Sequence, residues 1–572
     1  MNETKPAKTM ETRLRELAES RSRVLYLPPE KARDAILESP QPAALVHAIQ
    51  EEDFYFLIHD IGVEDALDLL RLASARQWEF LLDMSVWEKD RISLSAWTRW
   101  LHLLMKADPE RLVNWISEER LEEMEYYLFR NVQLAVREHD QDPSDFGDGF
   151  HTYDDTFYVR FNDALYDPER DAELQAERDA FLDEFLRRLA ADDHIVYYNL
   201  LLESRSVVPA EIEEEAYRLR NIRMAEKGHK PFYEAIGIYQ PLPADESDRG
   251  RRPPGTGRQQ NEAAPPPLFP YSVIEKDSLF AEGLARIDQT SEIELLQAEF
   301  AGLCNHIISA DQRVIREKDA LKPVVKKACG YVSIGLEALA GRQEIPPDQA
   351  ALMIRRYPLE RIFRVGYGKA LELKWRAEKW RKASWAEHEG LSLSFWGEEW
   401  LGVIGGLLVE RPLFFDNYRS GVLYREFHAM ADIAATDAVL ARVVALDELF
   451  GLMDALPPLP RRRLLTWKSL LLTLWARRAT GYEGEAFALP VPVFRPFFDD
   501  LWEGPLPSRK ISDAAKGRFL AWLARAARLE AHALSRKFQT TLEQLFETVE
   551  TEYQGVSAAH LDARHVHLFM LA

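Results

Sequence analysis

Apolar residues recur at helical spacing along most of the chain, and in its first third they predict short, paired helices. Prolines bound the earliest of these helices, at 30–39 and 43–50. The sequence FLIHD at 56–60 is similar to FLLD at 80–83, 24 residues later, with a leucine-rich helix between them. A repeat of this length is typical of a superhelix, in which each unit buries its apolar face against its neighbours. We therefore predict superhelical repeats over 24–129.

The pattern after residue 268 predicts a larger and almost wholly helical C-terminal module. Three prolines at 488–498 argue against a regular helix there, so this segment is expected to be extended. β-branched and aromatic residues at 156–161 predict one short strand in the N-terminal half. The predicted fold class is therefore all-α, with at most a short strand pair near 152–162.

A stretch rich in proline and glycine at 243–267 contains no aromatic residue and cannot bury enough apolar surface to become ordered. It predicts a mobile linker between helical domains at 1–242 and 268–572. The two domains differ in charge, because 1–242 holds 50 acidic and 29 basic residues, net −21, whereas 268–572 is net −1. Within the first domain, 138–193 carries 18 acidic and 5 basic residues, which predicts an acidic insertion followed by a helix.

The net charge of the 572 residues is −22. A general nucleic-acid binder needs surplus lysine and arginine, so the charge argues firmly against that function for 1–242 and only weakly for 268–572. The first residues lead into no apolar stretch, and no apolar run reaches the roughly 20 residues that span a bilayer. The two cysteines fit reduced thiols. We expect a cytoplasmic protein without a membrane span.

Three groups of side chains could bind a divalent cation. They are His560, Asp562, His565 and His567 at the chain end; Cys304, His306 and Asp311, with Cys329 from the next helix; and Asp142, Asp145, Asp148, Asp154 and Asp155 in the acidic loop. None has the spacing of an established motif, since the paired histidines of a metalloprotease, a Cys-x-x-Cys pair and an EF-hand loop are all missing. A frayed end, buried core cysteines and a solvated loop are the simpler explanations. No cofactor is predicted, and a divalent cation stays an alternative.

One predicted helix of the second domain interleaves cations with aromatic rings, a composition that can stack on single-stranded bases. The residues concerned are Lys374, Trp375, Lys379, Trp380, Arg381 and Lys382. Tryptophans at helical spacing more often belong to a core, and an acidic protein surface suits the segment better than nucleic acid does. The acidic region at 138–193 offers such a surface, so contact between the two halves across the linker is a further expectation.

Several segments together resemble an uncharacterised bacterial family that carries only a domain-of-unknown-function label, 6178. They are AYRLR at 216–220, IGIYQPL at 236–242, GLEAL at 335–339 and LERIFRVGYGK at 359–369. The resemblance spans both halves of the chain. It implies a helical cytoplasmic protein and brings no catalytic residues.

The stretch 24–129 also resembles the α-superhelical N domain of the bacterial magnesium transporter MgtE, in helix length and in its rhythm of leucines and acids. No transporter pore is recognised after it, so the resemblance does not imply transport. It does add interest to the acidic loop as a place for a divalent cation.

These observations favour a scaffold or adaptor for protein–protein interaction, because superhelical repeat surfaces usually bind proteins. A cationic partner that docks on the acidic N-terminal half is expected. One alternative is a divalent-cation-dependent enzyme or cation sensor that uses the acidic loop or the histidine-rich C-terminus. A second is nucleic-acid binding through the helix at 374–382. No catalytic residue is identified, and a scaffold is preferred over an enzyme.

Overall fold

The computed structural model describes residues 10–242, 267–313, 315–342, 344–453, 459 and 465–572. The chain divides into two compact units, Met1–Val332 with Glu344–Arg364, and Ser333–Gln343 with Val365–Ala572. The described residues are mainly helical with a few small sheets, and the predicted all-α class is confirmed. The predicted linker at 243–267 lies outside the described residues, apart from Pro267.

The first unit begins with short helices that stack on one another. They are α1 (Met10–Leu25), α2 (Pro29–Leu37), α3 (Pro42–His47), α4 (Glu51–Ile61), α5 (Leu67–Leu72), α6 (Ala75–Ser85), α7 (Leu94–Ala107), α8 (Pro109–Glu119) and α9 (Leu121–Asn131). Helices two apart in sequence contact each other, since α2 lies on α4, α3 on α5, α4 on α6 and α5 on α7. Stacking of this kind is typical of helical repeats, and the superhelical repeat over 24–129 stays a prediction. A hairpin that the sequence did not predict, β1 (Trp87–Glu88) and β2 (Arg91–Ile92), separates α6 from α7.

The start of α6 shows how local sequence sets this stacking. Ser74 and Gln77 form a capping box, in which each side chain accepts a hydrogen bond from the backbone N–H of the other residue. The amide of Gln77 also donates to the carbonyl oxygens of Val46 and Ile49, at 2.8 and 2.9 Å. The cap therefore fixes both the first turn of α6 and its position against α3.

A three-stranded antiparallel sheet follows α9. Its strands are β3 (Val132–Val136), β4 (His151–Thr152) and β5 (Phe157–Phe161), in the order β3–β5–β4. The prediction of at most a strand pair near 152–162 missed β3, which follows α9 directly with no loop between them. Val132 lies opposite Phe161, and all five residues of β3 pair with β5.

Among the described residues, seven further helices of the first unit follow the sheet. They are α10 (Ala172–Asp192), α11 (His194–Glu203), α12 (Pro209–Glu226), α13 (Phe232–Ala235), α14 (Phe269–Ser272), α15 (Leu279–Leu284) and α16 (Thr290–Asp311). The unit also includes the first parts of α17 (Lys318–Ala340) and α19 (Leu359–Ala383), with the whole of α18 (Pro347–Arg356). Gly228 follows α12 at φ +82°, and a Cβ there would lie 2.9 Å from the Cα of Gly302 in α16. Only glycine fits both this backbone angle and this close approach.

The residues after the predicted linker pack on the N-terminal helices. The buried carboxylate of Asp53 in α4 accepts hydrogen bonds from the backbone N–H groups of Leu268 and Phe269, at 2.8 and 2.9 Å. Asn305 of α16 donates to the carbonyl oxygen of Lys227 at 2.7 Å. The two compact units therefore differ from the predicted domains at 1–242 and 268–572, because 268–332 belongs to the first unit.

The remaining elements are α17 (Lys318–Ala340), α18 (Pro347–Arg356), α19 (Leu359–Ala383), α20 (Trp385–His388), α21 (Glu398–Leu408), β6 (Phe414–Phe415), β7 (Tyr424–Arg425), α22 (Met430–Leu452), α23 (Trp467–Thr480), α24 (Val491–Asp499), β8 (Trp502–Glu503), β9 (Lys510–Ile511), α25 (Asp513–Ala526) and α26 (Ala531–Tyr553). Strands β6 and β7 form one hairpin, and β8 and β9 form another. The second unit has an aromatic core that includes Trp396, Trp475, Phe494 and Phe519. No helix among the described residues is both long enough and apolar enough to cross a membrane.

Helix α24 contradicts the prediction that 488–498 is extended. Pro492 lies in the first turn, where its missing N–H is not needed within the helix. Pro496 lies further along and removes one hydrogen bond. Burial of three aromatic side chains, which each contribute roughly 2 kcal/mol, offsets that loss. They are Phe494, Phe497 and Phe498.

Candidate protein-binding surface

Strand β5, the central strand of the sheet in the acidic region, contacts both the acidic loop and helix α11. Phe157 of β5 is fully buried and contacts the ring of Tyr198 in α11 edge-on, with the ring centroids 4.8 Å apart. The ring of the next residue, Tyr158, stacks on the ring of Phe146 in the acidic loop, with the ring centroids 4.4 Å apart. β5 therefore holds the loop on one side and α11 on the other, and the predicted acidic insertion is an ordered part of the first unit.

Two aspartates of the loop support its own backbone. Asp142 accepts hydrogen bonds from the backbone N–H and the hydroxyl of Ser144, and these bonds lower the pKa of Asp142. Asp154 accepts from the backbone N–H groups of Thr156 and Phe157 at the start of β5. These carboxylates cap turns and begin a strand, which is what acidic residues in loops commonly do.

Asp155 has a different role, because it joins the loop to the sheet. Its carboxylate accepts from the hydroxyl of Tyr158 at 2.7 Å and pairs with Arg137 at 2.6 Å, and the first of these bonds lowers the pKa of Asp155. Asp145 and Asp148 are exposed. The five predicted ligands do not converge, and within the described ranges no group of three or more histidine, cysteine, aspartate or glutamate residues is placed to hold a metal ion.

An open cleft of about 620 Å³ lies beside this loop. Its lining residues are Gln133, Asp148, Gly149, His151, Arg160, Phe161, Asn162, Asp163 and Asp179. Asp148 is the one predicted site residue that contributes to the cleft. The guanidinium of Arg160 lies 4.7 Å from the ring centre of Phe150 and donates to the side chain of Gln133, so it forms a wall of the cleft.

Arg178 of α10 lies beneath the cleft with its side chain fully buried. It pairs with Asp163 at 2.7 Å and donates to Asp179 at 2.8 Å, and its guanidinium faces the ring of Tyr166 at 4.6 Å. The side chains of Asp163 and Asp179 are still 66% and 43% exposed. Their outer oxygen atoms can therefore accept N–H donors from a lysine or arginine that enters from solvent.

The predicted group at Cys304, His306 and Asp311 is an interior seam of the first unit. Asp311 accepts from the hydroxyl of Tyr239 at 2.5 Å and pairs with the ammonium of Lys327 at 3.1 Å. Nδ1 of His306 lies 3.6 Å from a carboxylate oxygen of Glu360 in α19. Cys304 and Cys329 are buried, reduced thiols, and burial raises the pKa of each. Buried thiols with raised pKa values are poor ligands and poor nucleophiles.

The histidine-rich chain end is not frayed. Leu489 and Leu571 form a parallel bridge, and the backbone N–H of Leu489 donates to the carbonyl oxygen of Met570 at 2.9 Å. The four predicted ligands engage separate neighbours or face solvent. His560 contacts the hydroxyl of Ser557, Asp562 pairs with Arg564, His565 is exposed, and the backbone N–H of His567 donates to the hydroxyl of Tyr553. The side-chain hydrogen bond from Arg564 holds the pKa of Asp562 well below its usual range.

The basic and aromatic segment at 374–382 is the last part of α19. Trp380 is buried, and Lys374 and Arg381 are paired with Glu378 and Glu387. Trp375, at 48% exposure, Lys379 and Lys382 are exposed on one face, as the helical spacing predicts. Arg376 and Arg381 are also exposed, but each is paired with a carboxylate. Pairing thus leaves this helix with few cations that could neutralise phosphates.

Sequence reasoning missed the buried carboxylates, among them Asp447 of α22. It accepts hydrogen bonds from Nε1 of Trp380, from the hydroxyl of Ser384 and from the backbone N–H groups of Trp385 and Ala386, all between 2.9 and 3.1 Å. The available signal was Ser384 itself, which caps the next helix through Glu387. This carboxylate joins α22 to the end of α19 and the start of α20 within the second unit.

Comparison with known proteins agrees with one of the two resemblances. The chain matches a family of unknown function, DUF6178, over residues 8–572. No curated protein and no solved structure matches it, so the likeness of 24–129 to MgtE has no support. Because the match covers nearly the whole chain, the protein belongs to the DUF6178 family.

Proposed function

We propose that the protein is a scaffold or adaptor whose acidic N-terminal surface binds a cationic segment of a partner protein. The observation that carries this proposal is the cleft beside the acidic loop, whose exposed carboxylates lie on a surface with a large negative charge. Residues 138–193 hold 18 acidic and 5 basic residues. Charge of one sign, concentrated around a cleft, attracts ligands of the opposite sign and speeds their association.

The internal pairing within the cleft supports a binding role over a catalytic one. Arg178 and Gln175 already donate to Asp163, so this carboxylate is held in place as an acceptor. Arg160 is likewise held against Gln133 and Phe150. A rigid row of acceptors suits recognition of lysine and arginine side chains, because little ordering remains to be done when the partner binds.

We expect partner capture by the full-length protein to depend on salt and on two exposed carboxylates, Asp145 and Asp148. Replacing both with asparagine should reduce recovery of its partners from a lysate of its native cells at least about threefold. Raising the salt concentration from about 50 to 500 mM should have a similar effect, because exposed charges are screened. Quantitative mass spectrometry of the captured proteins measures both.

The matched control removes the same charge from the second unit, through Glu483→Gln and Glu485→Gln, two exposed positions. This variant should retain the partners that the wild-type protein captures. If recovery is the same for both variants and at both salt concentrations, the acidic surface is not the binding surface and the proposal is wrong.

A further inference from the structure

Helix α11 presents apolar side chains to solvent as well as to the core. Its buried side chains are Tyr197, Leu200 and Leu201. On the opposite part of its surface, Ile195 is 74% exposed, Tyr198 39% and Leu202 36%. A surface helix normally carries polar residues on its outer face, and a helix that is apolar all round is normally buried. The exposed residues of α11 include the polar His194, Asn199 and Glu203, but the other three are large and apolar, which is more apolar surface than a solvent-facing helix normally carries.

The spacing of these three residues makes them a single row. Positions i, i+3 and i+7 lie on one side of an α-helix, so Ile195, Tyr198 and Leu202 form a stripe along α11. A stripe of this kind matches the apolar side of a second helix laid along it, as in helix-in-groove recognition. Covering it would remove apolar surface from water, which is favourable by about 25 cal/mol for each Å².

Carboxylates lie at the C-terminal end of the stripe. Glu203 is the last residue of α11, and it lies close enough to Glu125 of α9 to act on its charge, as Glu122 does. Burial, reinforced by these two neighbours, raises the pKa of Glu125 to about 7. Among the residues that the structure describes, no cation pairs with any of the three. The surface therefore combines an apolar row with crowded negative charge.

The apolar stripe and the nearby carboxylates together indicate what kind of segment binds to this surface. A second copy of the chain is disfavoured, because residues 1–242 carry a net charge of −21 and two such surfaces would repel each other. A segment with an apolar side and flanking cations would cover the stripe and also neutralise the carboxylates. We propose that the exposed face of α11 docks a basic amphipathic helix of the partner protein. This inference rests on the proposed function and specifies where, and by what kind of segment, the acidic half is bound.

The test uses the full-length protein and a synthetic peptide of about 18 residues, five helical turns, made of leucine and lysine in an amphipathic order. A peptide of the same composition in scrambled order is the second probe. Fluorescence anisotropy should show that wild-type protein binds the amphipathic peptide at least tenfold more tightly than the scrambled one. The double variant Ile195→Ser with Leu202→Ser should lose at least this tenfold preference. Because Leu202 is only 36% exposed, thermal unfolding of the variant is measured as well, and binding is compared at a temperature where both proteins are folded.

A matched control is Leu352→Ser in α18, where the side chain is 63% exposed and lies outside the stripe. It should bind both peptides as the wild-type protein does. Equal binding of the two peptides, or wild-type binding by the α11 variant, would overturn the inference. If the α11 variant keeps the peptide while the Asp145 and Asp148 variant loses its captured partners, the proposed function stands and only its assignment to α11 fails. If the Asp145 and Asp148 variant captures partners as the wild type does while the α11 variant loses the peptide, the inference about α11 stands and the proposed function fails.

Discussion

Replacing Asp447 with alanine is expected to lower the free energy of unfolding of the second unit by about 3–5 kcal/mol. The carboxylate is 5% exposed and accepts four hydrogen bonds from the end of α19 and the start of α20. Alanine would leave two backbone N–H groups, one hydroxyl and the indole N–H of Trp380 without their acceptor. An unsatisfied buried donor costs roughly 1–3 kcal/mol, and the cost is reduced where water can enter.

The control for this prediction lies on the same helix. Asp437 of α22 pairs with Arg376, but both side chains are about half exposed, so Asp437→Ala should cost less than about 1 kcal/mol. Asp447→Asn keeps the shape of the side chain but turns an N–H₂ group toward donors. Its loss in free energy of unfolding should lie between those of Asp437→Ala and Asp447→Ala. Thermal unfolding followed by circular dichroism should show a shift on the order of 10 °C for Asp447→Ala. Equal shifts for the alanine variants at 447 and 437 would contradict the structural role of Asp447.

Features of the fold that depend on neighbouring residues could be predicted from sequence, whereas features that depend on distant residues could not. The start of α6 is an example of the first kind, and Asp447 is an example of the second. The start of α6 depends on Ser74 and Gln77, which are three residues apart, and the apolar period after them is visible in the sequence. Asp447 is more than 60 residues from each of its four donors. Its role depends on how helices pack, and nothing in its own neighbourhood distinguishes it from an exposed acid on a helix.

The same distinction explains which strands and which parts of the candidate site could be predicted from the sequence. Strand β3 was missed because its partner β5 lies 25 residues or more away in sequence for every pair except the last two. Helix α24 was predicted wrongly because the burial of Phe494 and its neighbours outweighs a local rule about proline. For the site, composition indicated the acidic region, but only the fold places Asp148 beside Asp163 and Asp179 in one cleft. The candidate surface of this protein therefore depends on segments that the sequence alone does not bring together.

Glu52→Gln is expected to make the protein more stable than the wild type above pH 7, and to leave it nearly unchanged near pH 4.5. Burial raises the pKa of Glu52 to about 7, because ionisation in the interior is costly and Lys227, at 3.8 Å, offsets only part of that cost. Glu51 and Asp53 beside it raise the pKa further. One carboxylate oxygen of Glu52 accepts no hydrogen bond from the described residues.

The sign follows from the two states of the chain. An unfolded glutamate has a pKa near 4.3, so between about pH 4.5 and 7 the folded protein binds a proton that the unfolded chain has released. The stability that this carboxyl contributes is therefore fully present at low pH and is lost as the pH rises through 7. A folded pKa of about 7 against an unfolded value near 4.3 corresponds to roughly 3–4 kcal/mol. Glutamine resembles the protonated form and is not subject to this loss.

Urea unfolding at about pH 4.5, 6 and 8.5 measures the effect, with the variant's advantage growing to roughly 3–4 kcal/mol at the highest pH. Lys227 remains paired with Glu51 at 2.6 Å in the variant, so the substitution does not strand a buried cation. The matched control is Glu30→Gln on the exposed side of α2, which should follow the wild-type curve at every pH. A constant difference between Glu52→Gln and wild type across this range would mean that Glu52 stays ionised in the fold. In that case the first turn of α4 would be held by a buried ion pair with Lys227, and Glu52→Gln would destabilise the protein at every pH.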